Sequence, residues 1–216
     1  MKNSDFAPQN ATSKTGEIDP KALFRIGYGL YVVSARENGQ DNGMIANAVV
    51  QVTNSPNRIA VTLNKESLTA EMILHTGVMT VSCLTVNAPY AVFERFGLQS
   101  GRTVSKFEGF AARRTANGTQ IPAEHINAFF SLSVEQTVDL DTHYMFICSL
   151  TEAQVLEDAP TMTYDYYYAQ VKPKKQAAAK KGYICRICGY VFEGDPLPED
   201  FICPLCKHGA ADFEPL

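Results

Sequence analysis

The chain lacks several features that would each point to a particular class of protein. No apolar run approaches the roughly 20 residues that a helix needs to cross a bilayer, so we expect no membrane contact. Residues 1–15 are polar and have no apolar central region, which argues against a secretory signal. The formal net charge is −4, and without a basic surplus nucleic-acid binding is not expected as the main activity.

A Rossmann dinucleotide site is also unsupported, because the sequence contains no G-x-G-x-x-G motif. Only short helices are predicted, at 19–26, 67–75 and 88–96, and a turn is predicted at 37–43. Strands are predicted at 30–34, 44–53, 58–64, 78–86, 130–138 and 144–156. Many strands with few helices favour an antiparallel barrel over a doubly wound sheet.

The 216 residues suffice for one medium-sized domain and one small domain. Residues 172–181 carry five lysines, one proline and no apolar anchor, which is typical of a linker whose charge serves solvation. We therefore predict a flexible tail at 1–18, a larger domain at 19–170, a linker at 171–181 and a small domain at 182–216.

Four cysteines near the C-terminus form two C-x-x-C pairs, Cys185 with Cys188 and Cys203 with Cys206, separated by fourteen residues. Four thiolates from two tight turns make a tetrahedral cage that holds zinc or a single iron, and geometry alone does not choose between them. A segment of about 35 residues buries too little core to fold alone, so a metal is nearly required. The spacing by itself is typical of zinc.

Aromatic side chains flank the two pairs, with Tyr183 before the first, Tyr190 after it and Phe213 near the end. Such a shell excludes water, which shapes a redox potential more than it strengthens a structural site. With Gly194-Asp-Pro and the Cys-Pro-Leu-Cys turn, the block resembles rubredoxin, and its short gap is closest to the rubredoxin-like tail of rubrerythrins. The resemblance implies one iron that cycles between Fe(III) and Fe(II). Lys207 is a departure, because the family usually has glycine there.

The remaining cysteines, Cys83 and Cys148, each lie inside an apolar, strand-like run. We interpret them as buried free thiols and not as a disulfide. Free thiols indicate a reducing compartment, so we expect a cytoplasmic protein.

In the larger domain, Lys65, Ser67 and Thr69 stand at the start of a predicted helix. A positive charge, two hydroxyls and free N–H groups that converge at a helix start can hold a phosphate. The alternative is that Ser67 caps the helix and Lys65 is solvated. The spacing alone leaves both interpretations open.

Four segments of this domain, 43–51, 63–69, 96–107 and 141–143, resemble the flavin reductase-like family, which includes the flavoredoxins. The resemblance spans residues 20–170. It implies a mainly β fold with short helices, a split β-barrel that binds FMN, usually across a homodimer interface.

By resemblance, Ala46, Asn47, Ala48 and Val49 lie along the isoalloxazine ring, with backbone amides facing its N5 edge. Ile45 departs from the threonine that many members have. Phosphate contacts and the loop over the flavin are implied for a further set of residues: Asn64, Lys65, Ser67, Thr69, Ser100, Gly101, Arg102, Lys106 and Phe107.

A histidine near His143 lies beside the flavin and nicotinamide pocket in the family, although a lone histidine at a strand start is more often a surface group. The tyrosine run at 164–168 could stack on a flavin, but dimer or core packing is the favoured interpretation.

The joined architecture resembles the high-molecular-weight rubredoxins of anaerobes, which pass electrons from NAD(P)H to a flavodiiron protein that reduces nitric oxide or oxygen. We therefore predict an oxidoreductase that relays electrons from NAD(P)H through FMN and iron to such an acceptor. The acidic segment 182–216, with a local charge of −4, favours a basic acceptor surface. The alternatives are an electron carrier or redox sensor without a nicotinamide site, or a zinc ribbon that binds a partner.

Overall fold

The computed structural model describes residues 16, 18–173 and 182–216. Most of the predicted tail at 1–18 and of the predicted linker at 171–181 lies outside these residues. The chain divides into two compact units, Met1–Lys172 and Pro173–Leu216. Among the described residues, no helix is both long enough and apolar enough to span a bilayer.

Nine strands and a few short helices build the first unit, which confirms the predicted mainly β fold with short helices. The strands are β1 Tyr31–Glu37, β2 Gln40–Ala46, β3 Val49–Asn54, β4 Asn57–Asn64, β5 Val78–Leu84, β6 Ala112–Arg114, β7 Gln120–Pro122, β8 Ile126–Leu140 and β9 His143–Val155. The helices are a 3₁₀ turn at Pro20–Arg25, α1 Leu68–Thr76, α2 Tyr90–Phe93 with a π-helical extension at Glu94–Leu98, and α3 Tyr164–Tyr166 with an extension at Tyr167–Val171.

Seven strands form one antiparallel sheet in the order β2-β1-β5-β8-β9-β4-β3. Strands β2 and β3 are therefore its two edges, yet only Asn47 and Ala48 separate them in the chain. A flat sheet of seven strands spaced about 4.8 Å apart would hold its edges roughly 29 Å apart. The three peptide steps from Ala46 to Val49 span at most about 11 Å. The sheet must therefore curl into a barrel, with the link between its edges at Asn47 and Ala48.

Successive residues of each strand face opposite sides of this sheet and supply two separate cores. Val33, Val61 and Phe146 belong to one cluster, which helix α1 covers with Met72 and Ile73. The second cluster lies on the other face and is given by its buried members: Leu30, Val32, Leu84, Ala88, Val92, Phe93, Phe96, Phe107, Ile121, Ile126, Phe129 and Met162. Helix α1 and the α2 segment are thus fixed on the sheet by burial of apolar surface.

Two of the predicted boundaries around residue 43 are wrong. A turn was predicted at 37–43, but the turn consists of only Asn38 and Gly39, because β1 ends at Glu37 and β2 begins at Gln40. Both turn residues have positive φ, 50° and 83°. That is the backbone of a two-residue hairpin turn, for which Asn-Gly is the preferred sequence. The single strand predicted at 44–53 is two strands, because the chain leaves one edge of the sheet and enters the other at 47–48.

Other differences are smaller. The short β6–β7 hairpin was not predicted, and β8 begins at Ile126, four residues before the predicted start. In the tyrosine run, Tyr167 packs against Phe93 with ring centroids 4.3 Å apart. Burial raises the pKa of Tyr167 to about 12. Core packing is thus the interpretation that this structure favours for Tyr167.

Helix α1 ends at Gly77, whose φ of 68° is left-handed and whose N–H donates to the carbonyl of Ile73 at 2.8 Å. A Cβ at Gly77 would meet no atom within 4 Å, so Gly77→Ala tests the backbone alone. We expect it to lower the free energy of unfolding by about 1 kcal/mol, measured by urea denaturation with far-UV circular dichroism. Gly27→Ala is the matched control, since Gly27 also has open space but no positive φ. Equal effects at the two glycines would contradict this account.

Candidate cofactor and metal sites

The turn between β4 and α1 is held by its own polar side chains. Asn64 Oδ1 accepts a hydrogen bond from the Glu66 amide at 2.9 Å. The Ser67 hydroxyl donates to the Asn64 carbonyl at 3.0 Å and accepts from the Ala70 amide at 3.1 Å, so Ser67 is the N-cap of α1. The first N–H groups of a helix have no partner within it and carry partial positive charge. This end of α1 can therefore receive an anion.

A cleft of about 190 Å³ opens at this helix start, between β2 and the segment that follows the π-helical extension. It brings together five of the residues predicted to bind cofactor: Ser67, Thr69, Ser100, Gly101 and Lys106. The Ser67 hydroxyl is used in capping α1, but the Thr69 hydroxyl, the helix N–H groups and one ammonium are a donor set that suits a phosphate. The residues present therefore fit the phosphate end of a flavin nucleotide.

Lys106 supplies the buried cation of the cleft, with only 1% of its surface exposed. Its ammonium donates to the carbonyl of Arg95 at 2.5 Å and to that of Gln99. Burial, and less strongly the charge of Arg95, lowers the pKa of Lys106 to about 8. The two carbonyls use two of the three ammonium donors, which leaves one N–H for a ligand.

Thr69 is also buried, and its hydroxyl accepts a hydrogen bond from Asn42 Nδ2 at 3.1 Å. Gly101 lies directly against Asn42, because a Cβ on Gly101 would come within 2.3 Å of Asn42 Oδ1. Asn42 thus connects the helix start to the opposite loop. It was missed by the sequence analysis, because residue 42 was assigned to a turn. The register of β1 with β2, which pairs Ala35 with Asn42, makes it a strand residue.

Three other predicted residues have their partners elsewhere in the first unit. The ammonium of Lys65 pairs with Asp139 and lies 4.7 Å from the ring centroid of Tyr144. Arg102 pairs with Glu71 at 2.6 Å, and this contact holds the pKa of Glu71 below its usual value. Phe107 is buried in the second core cluster. Lys106, and not Lys65, is therefore the cation in the cleft.

The residues predicted beside the isoalloxazine ring occupy the link between the sheet edges. Ala46 is buried at the end of β2, whereas Asn47, Ala48 and Val49 line a second cavity of about 430 Å³. The same cavity is also lined by Gly27, Gly29 and Ala60, and residues without large side chains allow the close approach of a flat ring. The ring position itself stays a prediction.

Sheet pairing places His143, the first residue of β9, opposite Asn64 at the end of β4. The imidazole Nδ1 lies 2.8 Å from the Thr142 hydroxyl. The structure thus brings His143 close to the start of α1, and its role in the flavin pocket stays a prediction.

The two cysteines of the barrel are free thiols, as predicted. Burial raises the pKa of Cys83 to about 11. Burial, with a smaller contribution from Glu135, raises that of Cys148 to about 12. Both thiols are accordingly uncharged and unreactive at neutral pH.

The second unit is a three-stranded sheet of β10 Tyr183–Cys185, β11 Val191–Phe192 and β12 Phe213–Pro215, in the order β11-β10-β12. It brings the sulfur atoms of all four cysteines within 4.8 Å of one another. Sγ of Cys185 lies 3.6 Å from that of Cys206, and Sγ of Cys188 lies 3.4 Å from that of Cys203. A tetrahedral metal with bonds of about 2.3 Å requires sulfur separations near 3.8 Å. The thiolates therefore fit one tetrahedral ion.

The two cysteine pairs have the same local backbone conformation. The amide of Gly189 donates to the Cys185 carbonyl at 2.8 Å, and the amide of Lys207 donates to the Cys203 carbonyl at 2.9 Å. The residue after each pair has positive φ, 76° at Gly189 and 63° at Lys207. This requirement gives a physical reason for the glycine that the rubredoxin family usually has at the second position.

Aromatic rings pack with the cysteines of the cage in one apolar cluster. Phe201 packs against Phe192 at 4.7 Å and against Phe213 at 5.3 Å between ring centroids. Of the ligands, Cys185 and Cys203 are buried, whereas Cys188 and Cys206 are half-buried. An electron can therefore reach the cage from the side of the second cysteine of each pair.

Comparison with known proteins agrees with both units. A family model described as a flavin reductase like domain matches residues 23–173, and one described as the rubredoxin-like domain of rubrerythrin matches residues 183–214. The high molecular weight rubredoxin of Moorella thermoacetica is 38% identical over 228 residues, covering 91% of this chain and 99% of that protein. The ferric-chelate reductase (NAD(P)H) of Archaeoglobus fulgidus is 35% identical over 162 residues, covering 75% and 96%.

Among solved structures, the flavoredoxin of Methanosarcina acetivorans superposes with a TM-score of 0.56 at 22% identity, covering 67% of this chain and 77% of that one. This likeness concerns the fold alone. The chain belongs to the flavin reductase-like family and carries a rubredoxin-like domain at its C-terminal end. Both resemblances predicted from the sequence are confirmed. The protein is an oxidoreductase, and its two domains imply a flavin and iron.

The left-handed backbone of Lys207 yields a test. Lys207→Gly removes the Cβ that is unfavourable at φ 63°, and we expect it to stabilise the metal-bound unit by about 1 kcal/mol. The measurement is the guanidinium concentration at which the visible absorption of the iron form is lost. Gly189→Ala, at the equivalent position of the other pair, should shift that midpoint in the opposite direction. A shift of the same sign in both variants would contradict the argument.

Proposed function

We propose that the protein accepts electrons from NAD(P)H on an FMN in the first unit and passes them, one at a time, through a single iron to an acceptor protein. The observation that carries this proposal is the presence, in one chain, of a cleft whose donors suit a phosphate and of a four-cysteine cage. Similarity to a high molecular weight rubredoxin along 91% of the chain supports it.

In this proposal each element of the first unit has one task. Thr69 and Lys106 bind the phosphate at the start of α1, together with the free amides of the helix, while Ser67 caps the helix. Residues 46–49 lie along the ring. FMN supplies the conversion between two-electron and one-electron transfer, so no side chain is needed as an acid or base for hydride transfer. By resemblance, His143 lies beside the flavin and nicotinamide pocket.

Cys185, Cys188, Cys203 and Cys206 hold the iron in the second unit. Iron is favoured over zinc by the rubredoxin-like match and by the aromatic shell, which excludes water as a redox centre needs. The acidic charge of residues 182–216 favours an acceptor with a basic surface. By resemblance, a flavodiiron protein that reduces nitric oxide or oxygen is the proposed acceptor.

A homodimer is proposed as the working form. Strand β3 is an edge of the sheet and exposes Val50 by 59% and Val52 by 47%. Exposed apolar side chains on an unpaired edge strand are unfavourable in an isolated subunit. A second copy that covers β3 would also close the cavity beside residues 47–49. The buried free thiols support a cytoplasmic location.

Anaerobic titration with NADH and with NADPH tests the relay. We expect loss of flavin absorption followed by loss of the Fe(III)–thiolate absorption, with metal analysis giving one iron per chain. Cys203→Ser should abolish the iron absorption and spare flavin reduction, whereas Cys83→Ser is the matched control that keeps both. If neither nicotinamide bleaches the flavin, the protein is a carrier or sensor; a colourless zinc form would identify a partner-binding module.

Direct reduction of ferric chelates is a second candidate, favoured by one observation. An alignment of 162 residues covers 96% of the relative named ferric-chelate reductase (NAD(P)H). That protein is therefore too short to contain a second domain of the size found here. On this alternative the flavin unit alone reduces external iron, and the activity of the Cys203→Ser variant with ferric chelates would equal that of the unchanged protein.

The lowered pKa of Lys106 predicts how FMN affinity depends on pH. The ammonium loses its proton as the pH rises through about 8, while the phosphate and Glu71, whose pKa is lowered, keep their negative charges. Loss of one charge-assisted hydrogen bond of about 1.5 kcal/mol weakens FMN binding roughly tenfold between pH 7 and pH 9.5. Fluorescence titration measures it. Lys106→Met should bind FMN more weakly at pH 7 and show no such decline; a decline that persists in this variant would disprove the assignment.

A further inference from the structure

The two cysteine pairs differ in the residues that surround their accessible ligands. In each pair the first cysteine is buried, and the second, Cys188 or Cys206, is half-buried. In the chain, Cys206 stands between Leu205, which is 48% exposed, and Lys207, which is also exposed. Cys188 is followed by Gly189 instead. The surface beside Cys206 therefore joins an apolar side chain and a cation at an accessible metal ligand.

Lys207 occupies a backbone position that favours glycine. Its φ is 63°, in the left-handed region that glycine adopts without strain. Its amide donates to the carbonyl of Cys203 at 2.9 Å, a hydrogen bond that glycine would make equally well. The backbone therefore gives no reason for a lysine here, whereas the position of its charge beside an accessible ligand does.

The charges of this part of the chain are unevenly distributed. Within residues 182–216, Arg186 and Lys207 are the only side chains of lysine or arginine. Six acidic residues lie outside both cysteine pairs and outside the two residues that follow each pair: Glu193, Asp195, Glu199, Asp200, Asp212 and Glu214. Charges on exposed groups are screened beyond about 8 Å at physiological ionic strength. A protein that contacts Cys206 therefore meets the charge of Lys207 first, although the net charge of the segment is negative.

We propose that the acceptor protein docks over Cys206 with a surface that carries acidic side chains around an apolar centre. This proposal rests on the proposed function, because it takes the iron as the exit for electrons. Four thiolates around one iron leave a net negative charge, and Lys207 offsets that charge where an acidic surface approaches. Leu205 supplies the apolar contact, since interfaces commonly have an apolar centre and a polar rim. The basic region of the acceptor that the net charge favours then lies beside this contact, opposite residues 193–200.

Two acceptors of opposite charge test the proposal: plastocyanin, a copper protein with an acidic contact surface, and cytochrome c, whose haem edge is ringed by lysines. The flavin-free full-length protein is loaded with iron, reduced chemically and mixed with each acceptor, and the visible absorption of the acceptor gives the rate of transfer. Lys207→Gln should slow transfer to plastocyanin roughly fivefold, the effect of one charge pair at about 4 Å in water, and should not slow transfer to cytochrome c. Lys207→Arg should keep the original rates, and Leu205→Asn should slow transfer to both acceptors.

Arg186→Gln is the matched control, because it removes the same charge at the other cysteine pair, and Glu199→Gln changes the net charge by the same amount in the opposite direction. Both should change the plastocyanin rate by less than about twofold, because screening weakens charges outside the contact. Each variant is first checked for one iron per chain. Equal losses in Arg186→Gln and Lys207→Gln would overturn the proposal, as would an unchanged rate in Lys207→Gln. A protein that shows the Lys207 effect but oxidises no nicotinamide would contradict the proposed function alone.

Discussion

The first unit depends on a two-residue link that joins the two edges of one sheet. Strand β2 pairs with β1 and strand β3 pairs with β4, and these partners lie at opposite ends of the strand order. Because Asn47 and Ala48 must connect the edges, the sheet curls and its interior fills with one apolar cluster. The same link lines a cavity of about 430 Å³ at the seam of the barrel. The chain segment that closes the barrel therefore also forms part of the wall of this cavity.

The start of α1 depends on this closure in turn. Strand β4 pairs with β3 at one side of the seam, ends at Asn64 and leads directly into the capped helix. Strand β2 passes the other side of the seam and carries Asn42 toward Thr69. The cleft therefore lies between β2 and the start of α1, which follows β4, and these two strands are distant in the sheet order. Its cation, Lys106, and its side-chain amide, Asn42, both lie outside the segment that contains Ser67, the N-cap of α1.

The sequence was sufficient for the elements whose signals are local. The cap at Ser67, the free thiols of Cys83 and Cys148 and the two cysteine pairs follow from residue type and spacing. The break between β2 and β3 at 47–48 could not be predicted from local signals, because residues 44–53 form one continuous strand-like run. The break arises only when the sheet closes into a barrel. Likewise Lys65 and Lys106 are both plausible cations by sequence, and only the fold shows that Asp139 engages the first while the second lies buried in the cleft.

The distribution of the six thiols has a consequence for how the iron centre is assembled. Cys83 and Cys148 are each buried inside the barrel, whereas the sulfur atoms of Cys185, Cys188, Cys203 and Cys206 lie within 4.8 Å of one another and two of these residues are half-buried. A metal ion that reaches the folded protein therefore meets four converging thiols in the second unit and only single, buried thiols in the first.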